Sequence, residues 1–159
     1  MIKYFEVSNI LKIHNKVLKL SGGLKGYKDK LGLKKVCDFV QNDLYYPEFL
    51  DKLEYIIFSI SKNHFFNDGN KRTSMLLANK ILISNGKGIL NVPIELDVKF
   101  GELLINYYET NDMEKIKRFF YENCLDGINQ DLQKGYLNEI SKNRKIEENT
   151  QSDDDELEL

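Results

Sequence analysis

The chain has 159 residues, of which 42% are hydrophobic and 30% charged, and its formal net charge is −2. This length suits one domain, or one domain with a short appendage, and the composition excludes a wholly disordered, fibrous or collagen-like chain. The two cysteines, Cys37 and Cys124, are too few and too far apart in sequence for a disulfide scaffold or a cysteine-based zinc module. We therefore expect two free thiols in a reducing compartment.

Membrane insertion and secretion are not expected either. No apolar run approaches the roughly 20 residues of a membrane span, and the N-terminus lacks a basic stretch followed by an apolar one. The sequence thus predicts a cytoplasmic protein with no membrane partner.

Charge is distributed unevenly along the chain. From Asp126 onwards there are ten acidic and four basic residues, whereas the first 125 residues contain 19 basic and 15 acidic ones, a formal charge of +4. A moderately basic body suits a polyanionic ligand such as a nucleotide, but the excess is too small to predict binding to nucleic acid. Residues 149–159 have no apolar period and are expected to form a mobile tail.

The first third of the chain predicts three amphipathic helices. The first follows Ser8, a fair N-cap, and ends at a glycine-punctuated loop, residues 22–26. The second covers about residues 33–43. The third begins near Pro47 and is expected to be the most buried, because apolar residues cover nearly its whole circumference.

A polar stretch, residues 64–72, then interrupts the periodicity before a fourth helix that ends at Asn85 and Gly86. Two further helices are predicted over residues 93–108 and 112–124, with the Tyr107–Tyr108 pair in the core. A weaker helix over residues 131–142 contains a glycine, which disfavours it. The pattern predicts an all-α fold of five to seven helices packed around the central pair that flanks residues 64–72.

The polar connector, residues 64–72, reads His-Phe-Phe-Asn-Asp-Gly-Asn-Lys-Arg and carries the clearest chemical signal. A helix N-terminus exposes unpaired backbone N–H groups, and Gly69 lets a ligand approach that backbone closely. Lys71 and Arg72 oppose the helix dipole, which costs stability unless an anion lies between them. We therefore predict phosphate binding at the start of the fourth helix.

Two further side chains extend this prediction to catalysis. Asp68 is the expected ligand of a Mg²⁺ ion that bridges phosphate oxygens. An imidazole is the usual side chain for accepting a hydroxyl proton at cellular pH, and His64 supplies one. Together these residue types predict phosphoryl or nucleotidyl transfer from a nucleotide bound to Mg²⁺ to a hydroxyl.

Simpler interpretations exist for individual residues. His64 alone is compatible with a helix-capping role, and Asp68 and Asn70 with turn formation, but turn chemistry does not explain Lys71 and Arg72. His14, on an apolar helix face, is expected to be a structural side chain.

Residues 64–72 resemble the signature of the Fic/Doc superfamily, His-x-Phe-x-(Asp/Glu)-(Gly/Ala)-Asn-(Gly/Lys)-Arg, and Lys71 resembles the death-on-curing (Doc) branch. Residues 13–14, the loop of residues 22–26 and Thr73 are also similar to Doc, so that the resemblance covers about residues 8–122. It implies a Fic/Doc-like catalytic domain over residues 1–125, with the active-site loop between two central helices. Residues 126–159 would add a short helical extension and an acidic, disordered tail.

The resemblance also implies a role for each motif residue. His64 would be the general base for a Ser or Thr hydroxyl of a target protein, Phe66 a buried anchor and Asp68 the Mg²⁺ ligand. Backbone N–H groups of Gly69, Asn70 and Lys71 would form an anion nest, with Asn70 and Arg72 contacting phosphates. Residues 22–26, with Gly22, Gly23 and Gly26, would form a flap that docks the target by strand-like pairing.

The implied activity is that of a toxin that phosphorylates a protein with ATP and Mg²⁺ as cofactors. Elongation factor Tu is the suggested target, and a Phd-type antitoxin would inhibit in trans. AMP transfer by a Fic-type enzyme is the alternative at the same site, and Gly69 resembles Fic, where Doc commonly has alanine. Lys71, in place of the second glycine, and Met75, in place of a second arginine, favour phosphate transfer. A non-catalytic binding module with the same fold is the alternative of another class.

An inhibitory helix in cis is not expected. Its pattern in the Fic family ends in Glu-(Gly/Asn), and Glu148–Asn149 supplies that pair, but Arg144 stands where a Ser or Thr belongs. The acidic tail is a further, weaker candidate for covering the basic site.

Overall fold

Helices dominate the computed structural model, which describes residues 1–112 and 114–126. The helices are α1 (Val7–Ser21), α2 (Lys30–Phe39), α3 (Phe49–Asn63), α4 (Asn70–Ser84), α5 (Asp97–Thr110) and α6 (Glu114–Asn123). A 3-10 turn, Ile94–Leu96, precedes α5, and two short strands, β1 (Ile89–Leu90) and β2 (Leu125–Asp126), pair antiparallel. The predicted all-α class is confirmed, and the small sheet is an addition that periodicity did not predict.

The helices α3 and α4 form the centre of the bundle, as the sequence predicts. They share the largest interface, α1 packs against α4, and α2 and α5 pack against α3. Most of the apolar face of α3 is buried, and Ser61 on α3 lies 2.8 Å from Ser74 on α4, hydroxyl to hydroxyl. The connector between these two helices is therefore held from both sides by packed secondary structure.

Local capping shifts three helix starts from the predicted positions. The Ser8 N-cap is wrong: α1 begins at Val7 because Glu6 and Asn9 form a reciprocal capping box. At α2, the Asp29 carboxylate accepts the Gly32 N–H at 2.8 Å, so the helix begins at Lys30. Pro47 lies before α3 rather than in its first turn.

Both cysteines are buried and neither is in a disulfide, in agreement with the prediction. Burial raises the pKa of the Cys37 thiol to about 11, and the nearby Asp38 carboxylate adds to this effect. The thiol therefore stays protonated and unreactive at neutral pH.

The β1–β2 pair places the end of the described chain beside α4. Strand β1 packs on α4, and the Leu90 N–H donates to the side-chain oxygen of Asn79 at 3.1 Å.

The predicted helix over residues 131–142 and the acidic tail lie outside the described residues, and the domain boundary at residue 125 stays a prediction. In the described part of the chain, no helix has both the length and the apolar character that a membrane crossing requires.

A buried lysine fixes α3 against the end of α2. Lys52 is 3% exposed, and its ammonium donates to the Val40 carbonyl at 3.1 Å and to the Asp43 carboxylate at 2.7 Å. Val40 is the C-cap of α2, so the lysine satisfies a helix-terminal carbonyl.

Replacing Lys52 tests how much its hydrogen bonds stabilise the packing of α3 against α2. We expect Lys52→Met to lower the free energy of unfolding by about 1–3 kcal/mol, because a partly buried carbonyl loses its donor. Urea denaturation followed by circular dichroism measures the loss. Lys34→Met is the matched control, since Lys34 pairs with Asp38 on the exposed surface, and it should unfold like the wild type. Equal urea denaturation midpoints for Lys52→Met and Lys34→Met would contradict the role of Lys52 in holding α3 against the end of α2.

Candidate active site

Left-handed backbone at both ends shapes the connector between α3 and α4. His64, the C-cap of α3, has φ 49° and ψ 53°, and Gly69, the N-cap of α4, has φ 76°. Gly69 adopts this conformation at no steric cost, whereas a histidine at positive φ is strained. Strain of this kind is typical of functional positions, and here it turns the imidazole out of the helix.

The connector is anchored from α1 through Phe66. The Phe66 ring is fully buried and stacks on the His14 imidazole, with the ring centroids 3.8 Å apart and the planes 8° from parallel. The Nε2–H of His14 donates to the Asp68 carbonyl at 2.8 Å. His14 therefore has the structural role that its helix face predicts, and it orients the backbone next to the Asp68 carboxylate.

Asn70 closes the connector from the other side. Its side-chain oxygen accepts the Phe66 N–H at 2.9 Å, and its side-chain nitrogen donates to the Phe66 carbonyl at 3.0 Å. One N–H of the amide is left over for a ligand. The phosphate contact predicted for Asn70 stays a prediction, but the structure adds a bracing role that the sequence did not reveal.

The first turn of α4 offers backbone donors to the cleft. The Gly69 N–H donates to the Asp68 carboxylate at 2.7 Å, so this member of the predicted anion nest is already engaged. Within the described residues no side chain caps α4, and the N–H groups of Asn70 and Lys71 have no partner in the helix itself. These two N–H groups retain the property that makes a helix start bind anions.

Two carboxylates compensate the cations at the start of α4. The Lys71 ammonium lies 3.3 Å from the Asp97 carboxylate, and the Arg72 guanidinium lies 3.4 Å from that of Asp68. The two cations therefore do not require an added anion, contrary to the prediction, because the protein supplies acidic partners. All four side chains are 39–63% exposed, so both ion pairs are weak and a phosphate group can replace either partner.

Arg72 also joins the connector to the end of α1. Its guanidinium donates to the Ser21 hydroxyl and, at 3.0 Å, to the Gly22 carbonyl. The arginine thus links the base of the flap to the start of α4.

The segment that contains the flap runs alongside the connector. Tyr27 and Phe66 form an isolated antiparallel bridge, the Asn67 N–H donates to the Gly26 carbonyl at 3.1 Å, and the Lys28 N–H donates to the Phe65 carbonyl at 2.6 Å. Strand-like pairing is present, but its partner is the connector. Docking of a target peptide on this segment stays a prediction.

Asp68 is the point where flap and connector meet. Its carboxylate accepts the Leu24 N–H at 3.1 Å, and a Cβ at Gly23 would lie 2.6 Å from the same carboxylate. The N–H groups of Leu24 and Gly69, followed by the Arg72 guanidinium, hold the pKa of Asp68 below its ordinary value. The carboxylate is therefore ionised at neutral pH and suited to a divalent cation.

The predicted residues line one cleft of about 590 Å³, which we call the motif cleft. The predicted catalytic, metal-binding and phosphate-binding residues all line it, namely His64, Asp68, Gly69, Asn70, Lys71 and Arg72. The glycines of the flap do not. Residues 1–112 and 114–126 contain no group of three or more His, Cys, Asp or Glu side chains that would hold a metal. A Mg²⁺ ion at Asp68 would therefore take its remaining ligands from phosphate and water, which is usual for this ion.

Four residues that line the motif cleft were not among the predicted site residues, namely Ser61, Asn67, Asp97 and Tyr108, and the last two lie on α5. Tyr108 was expected in the core with Tyr107, but only Tyr107 is buried. The Tyr108 ring lies edge-on to the His64 imidazole, with centroids 5.7 Å apart and planes at 71°. Asp97 pairs with Lys71 across 26 residues of sequence. Only the tertiary packing of α5 brings these residues to the site, and no local pattern signals it.

The fold and this site agree with the comparisons with known proteins. The sequence model of the Fic/DOC family matches residues 4–82, which include α1, α3, the connector and nearly all of α4. The chain belongs to the Fic/DOC family. Within it, the chain is similar to the protein named "Protein kinase doc" of Escherichia phage P1, with 27% identity over 104 residues that cover 63% of this chain and 82% of the relative. This similarity and Lys71 place it in the Doc branch.

The anchoring role of His14 leads to a direct test. His14→Phe keeps an aromatic ring against Phe66 but removes the N–H that donates to the Asp68 carbonyl. We expect a loss of about 1 kcal/mol in the free energy of unfolding and shifted amide NMR signals for residues 64–69. Asn15→Ala, at an exposed position of the same helix, is the control and should leave both unchanged. Unmoved connector signals in His14→Phe would contradict this role.

Proposed function

We propose that this protein is a Doc-like toxin that transfers the terminal phosphate of MgATP to a Ser or Thr hydroxyl of a target protein. The observation that carries the proposal is the single motif cleft, in which an imidazole, a carboxylate, two cations and an open helix start lie together. The family and the relative support a transferase of the Fic or Doc type.

The chemistry assigned to the residues follows from their positions. The imidazole of His64 accepts the proton of the acceptor hydroxyl, whose oxygen attacks the γ-phosphorus while the bond to the β-phosphate oxygen breaks and the nucleoside diphosphate departs. Lys71, Arg72 and the backbone N–H groups of α4 stabilise the negative charge of the phosphates. A Mg²⁺ ion held by Asp68 would neutralise phosphate charge when bound.

The environment of Lys71 favours phosphate over AMP transfer. Its ammonium is drawn towards α5 by Asp97 and lies 5.5 Å from the centroid of the Phe100 ring. A long cationic side chain along the wall of the cleft would restrict which part of a triphosphate fits beside it. Met75, one turn further along α4, adds no charge for a phosphate tail. Transfer of AMP remains the alternative outcome of the experiment below.

The proposed partners are a protein substrate, with elongation factor Tu as the first candidate, and a Phd-type antitoxin. A toxin context is supported by the similarity to the phage relative. We propose that the protein acts in the cytoplasm, where both partners would be found.

Isotope labelling separates the two reactions. The purified protein is incubated with elongation factor Tu, or with a cell lysate, and with MgATP labelled at the α- or the γ-phosphate. We expect label only from the γ-position, and a mass increase of one phosphate on a Ser or Thr of the target. His64→Ala should lower the rate by about 10²–10⁴-fold.

The controls exclude the competing functions. Transfer of the α-label would establish AMPylation and overturn the kinase proposal. Equal growth arrest by wild type and His64→Ala, without labelling, would indicate a non-catalytic binding module. Lys34→Met, on the surface of α2, is the matched variant that should keep full activity.

Adjacent glycines test whether Asp68 acts with the flap. Gly22 and Gly23 both have positive φ, 74° and 130°, so alanine strains the backbone at either position. Only at Gly23 would the new Cβ collide with Asp68, because nothing lies within 4 Å of a Cβ at Gly22. We expect Gly23→Ala to raise the Mg²⁺ concentration needed for half-maximal transfer at least about 10-fold over Gly22→Ala, a difference of about 1.4 kcal/mol. Identical Mg²⁺ titrations of Gly23→Ala and Gly22→Ala would contradict the assignment of Asp68 as the Mg²⁺ ligand.

A further inference from the structure

A second cavity, of about 360 Å³, lies along one side of α3. Its α3 residues recur at three- and four-residue steps, so they share one face of this central helix. Four tyrosines and two carboxylates form most of the wall, namely Tyr45, Tyr46, Asp51, Glu54, Tyr55 and Tyr107. We call it the tyrosine cavity. Its volume lies within the range of about 300–1,000 Å³ that is usual for small-molecule sites.

The charge of the tyrosine cavity is opposite to that of the chain around it. Asp51 and Glu54 line it, and no Lys or Arg side chain does so among the described residues. The motif cleft, in contrast, contains Lys71 and Arg72, and residues 1–125 carry a formal charge of +4. The lining therefore favours a cationic ligand on a protein whose body is basic.

The fold fixes the two carboxylates as neighbours. Asp51 belongs to the capping box of α3, where its carboxylate accepts the Glu48 N–H at 3.0 Å. Glu54 follows three residues later on the same helix and is only 4% exposed. Residues three apart on a helix lie side by side. Two adjacent negative charges, one of them buried, attract a dication more strongly than a monocation.

The aromatic part of the wall suits an aliphatic ammonium ion. The rings of Tyr46 and Tyr55 stack with their centroids 4.4 Å apart and their planes 28° from parallel. Burial raises the pKa of Tyr46, Tyr55 and Tyr107, which shows that these phenols lie in a less polar environment than water. The face of a tyrosine ring attracts an ammonium group, and the attraction grows as water is removed.

Two residues of the wall already contact ammonium groups of the protein itself. The Lys62 ammonium lies 4.7 Å from the centroid of the Tyr107 ring, and the Lys117 ammonium lies 3.8 Å from the Glu54 carboxylate. Neither lysine is among the residues that line the cavity. Ring faces and carboxylates of this wall therefore bind alkylammonium groups in the folded chain.

We propose that the tyrosine cavity binds a small linear diamine, with its ammonium groups at Asp51 and Glu54 and its methylene chain on the rings of Tyr46 and Tyr55. A diamine carries two positive charges and an apolar chain, which match the two carboxylates and the aromatic wall. A metal ion lacks the apolar part, and a single lysine side chain lacks the second charge. The proposal does not rest on the function proposed above, because the tyrosine cavity and the motif cleft share none of their lining residues.

Three four-carbon compounds test both the charge and the number of charges. Butane-1,4-diamine, butylamine and butane-1,4-diol are titrated into the full-length protein by isothermal titration calorimetry at constant ionic strength. We expect saturable binding of one diamine and at least about 10-fold weaker binding of butylamine, because one charged hydrogen-bonding group is missing. The diol should not bind.

Two substitutions in the wall locate the ligand. We expect Glu54→Gln to weaken diamine binding at least about 10-fold and Tyr46→Leu at least about 5-fold. Glu102→Gln, at an exposed carboxylate of α5, is the matched control and should bind the diamine like the wild type. Circular dichroism checks the fold of each variant. Tyr46 is only half-buried, so Tyr46→Leu decides the question if Glu54→Gln, at a buried position, does not fold.

NMR titration of the wild type locates the diamine without any substitution. The amide signals of residues 45–59 and 107 should shift as the diamine is added. Shifts confined to residues 64–72 would place the diamine in the motif cleft and overturn the proposal. Affinity for butylamine or the diol equal to that for the diamine would overturn it as well, and so would unchanged diamine binding in Tyr46→Leu.

Discussion

The site depends on one side-chain amide. Asn70 bonds both backbone groups of Phe66 and so closes the connector into a loop whose two ends cannot separate. Since both atoms are buried, breaking either hydrogen bond would leave a polar backbone group without a partner, at a cost of about 1–3 kcal/mol. The clamp therefore braces the backbone between His64, the C-cap of α3, and the start of α4.

The second support of the loop comes from a distant part of the chain. The His14 imidazole contacts Phe66 with its face and the Asp68 carbonyl with its edge. A carboxylate that binds a divalent cation gains from such a fixed backbone, because less conformational freedom is lost on binding. The bundle thus positions Asp68 through α1, although the residue belongs to the connector between α3 and α4.

The sequence predicted well what is local and periodic. Apolar spacing identified the helices and the central pair, and the spacing of His64, Asp68 and the two cations located the cleft, because these residues are neighbours in the chain. The sequence could not show that the Asp97 carboxylate pairs with the Lys71 ammonium or that the Tyr108 ring lies against His64. Both contacts arise from the packing of α5. The start of α1 shifted for a local reason instead: Glu6 and Asn9 cap the helix together, whereas a single capping residue at its start favours Ser8.

Two hydrogen bonds tie residues 22–26 to side chains of the motif cleft: Arg72 donates to the Gly22 carbonyl, and Asp68 accepts the Leu24 N–H. A triphosphate and a cation that used Arg72 and Asp68, as we propose, would compete with these two hydrogen bonds and would loosen residues 22–26. Binding of the donor nucleotide and the position of this segment would then be energetically linked.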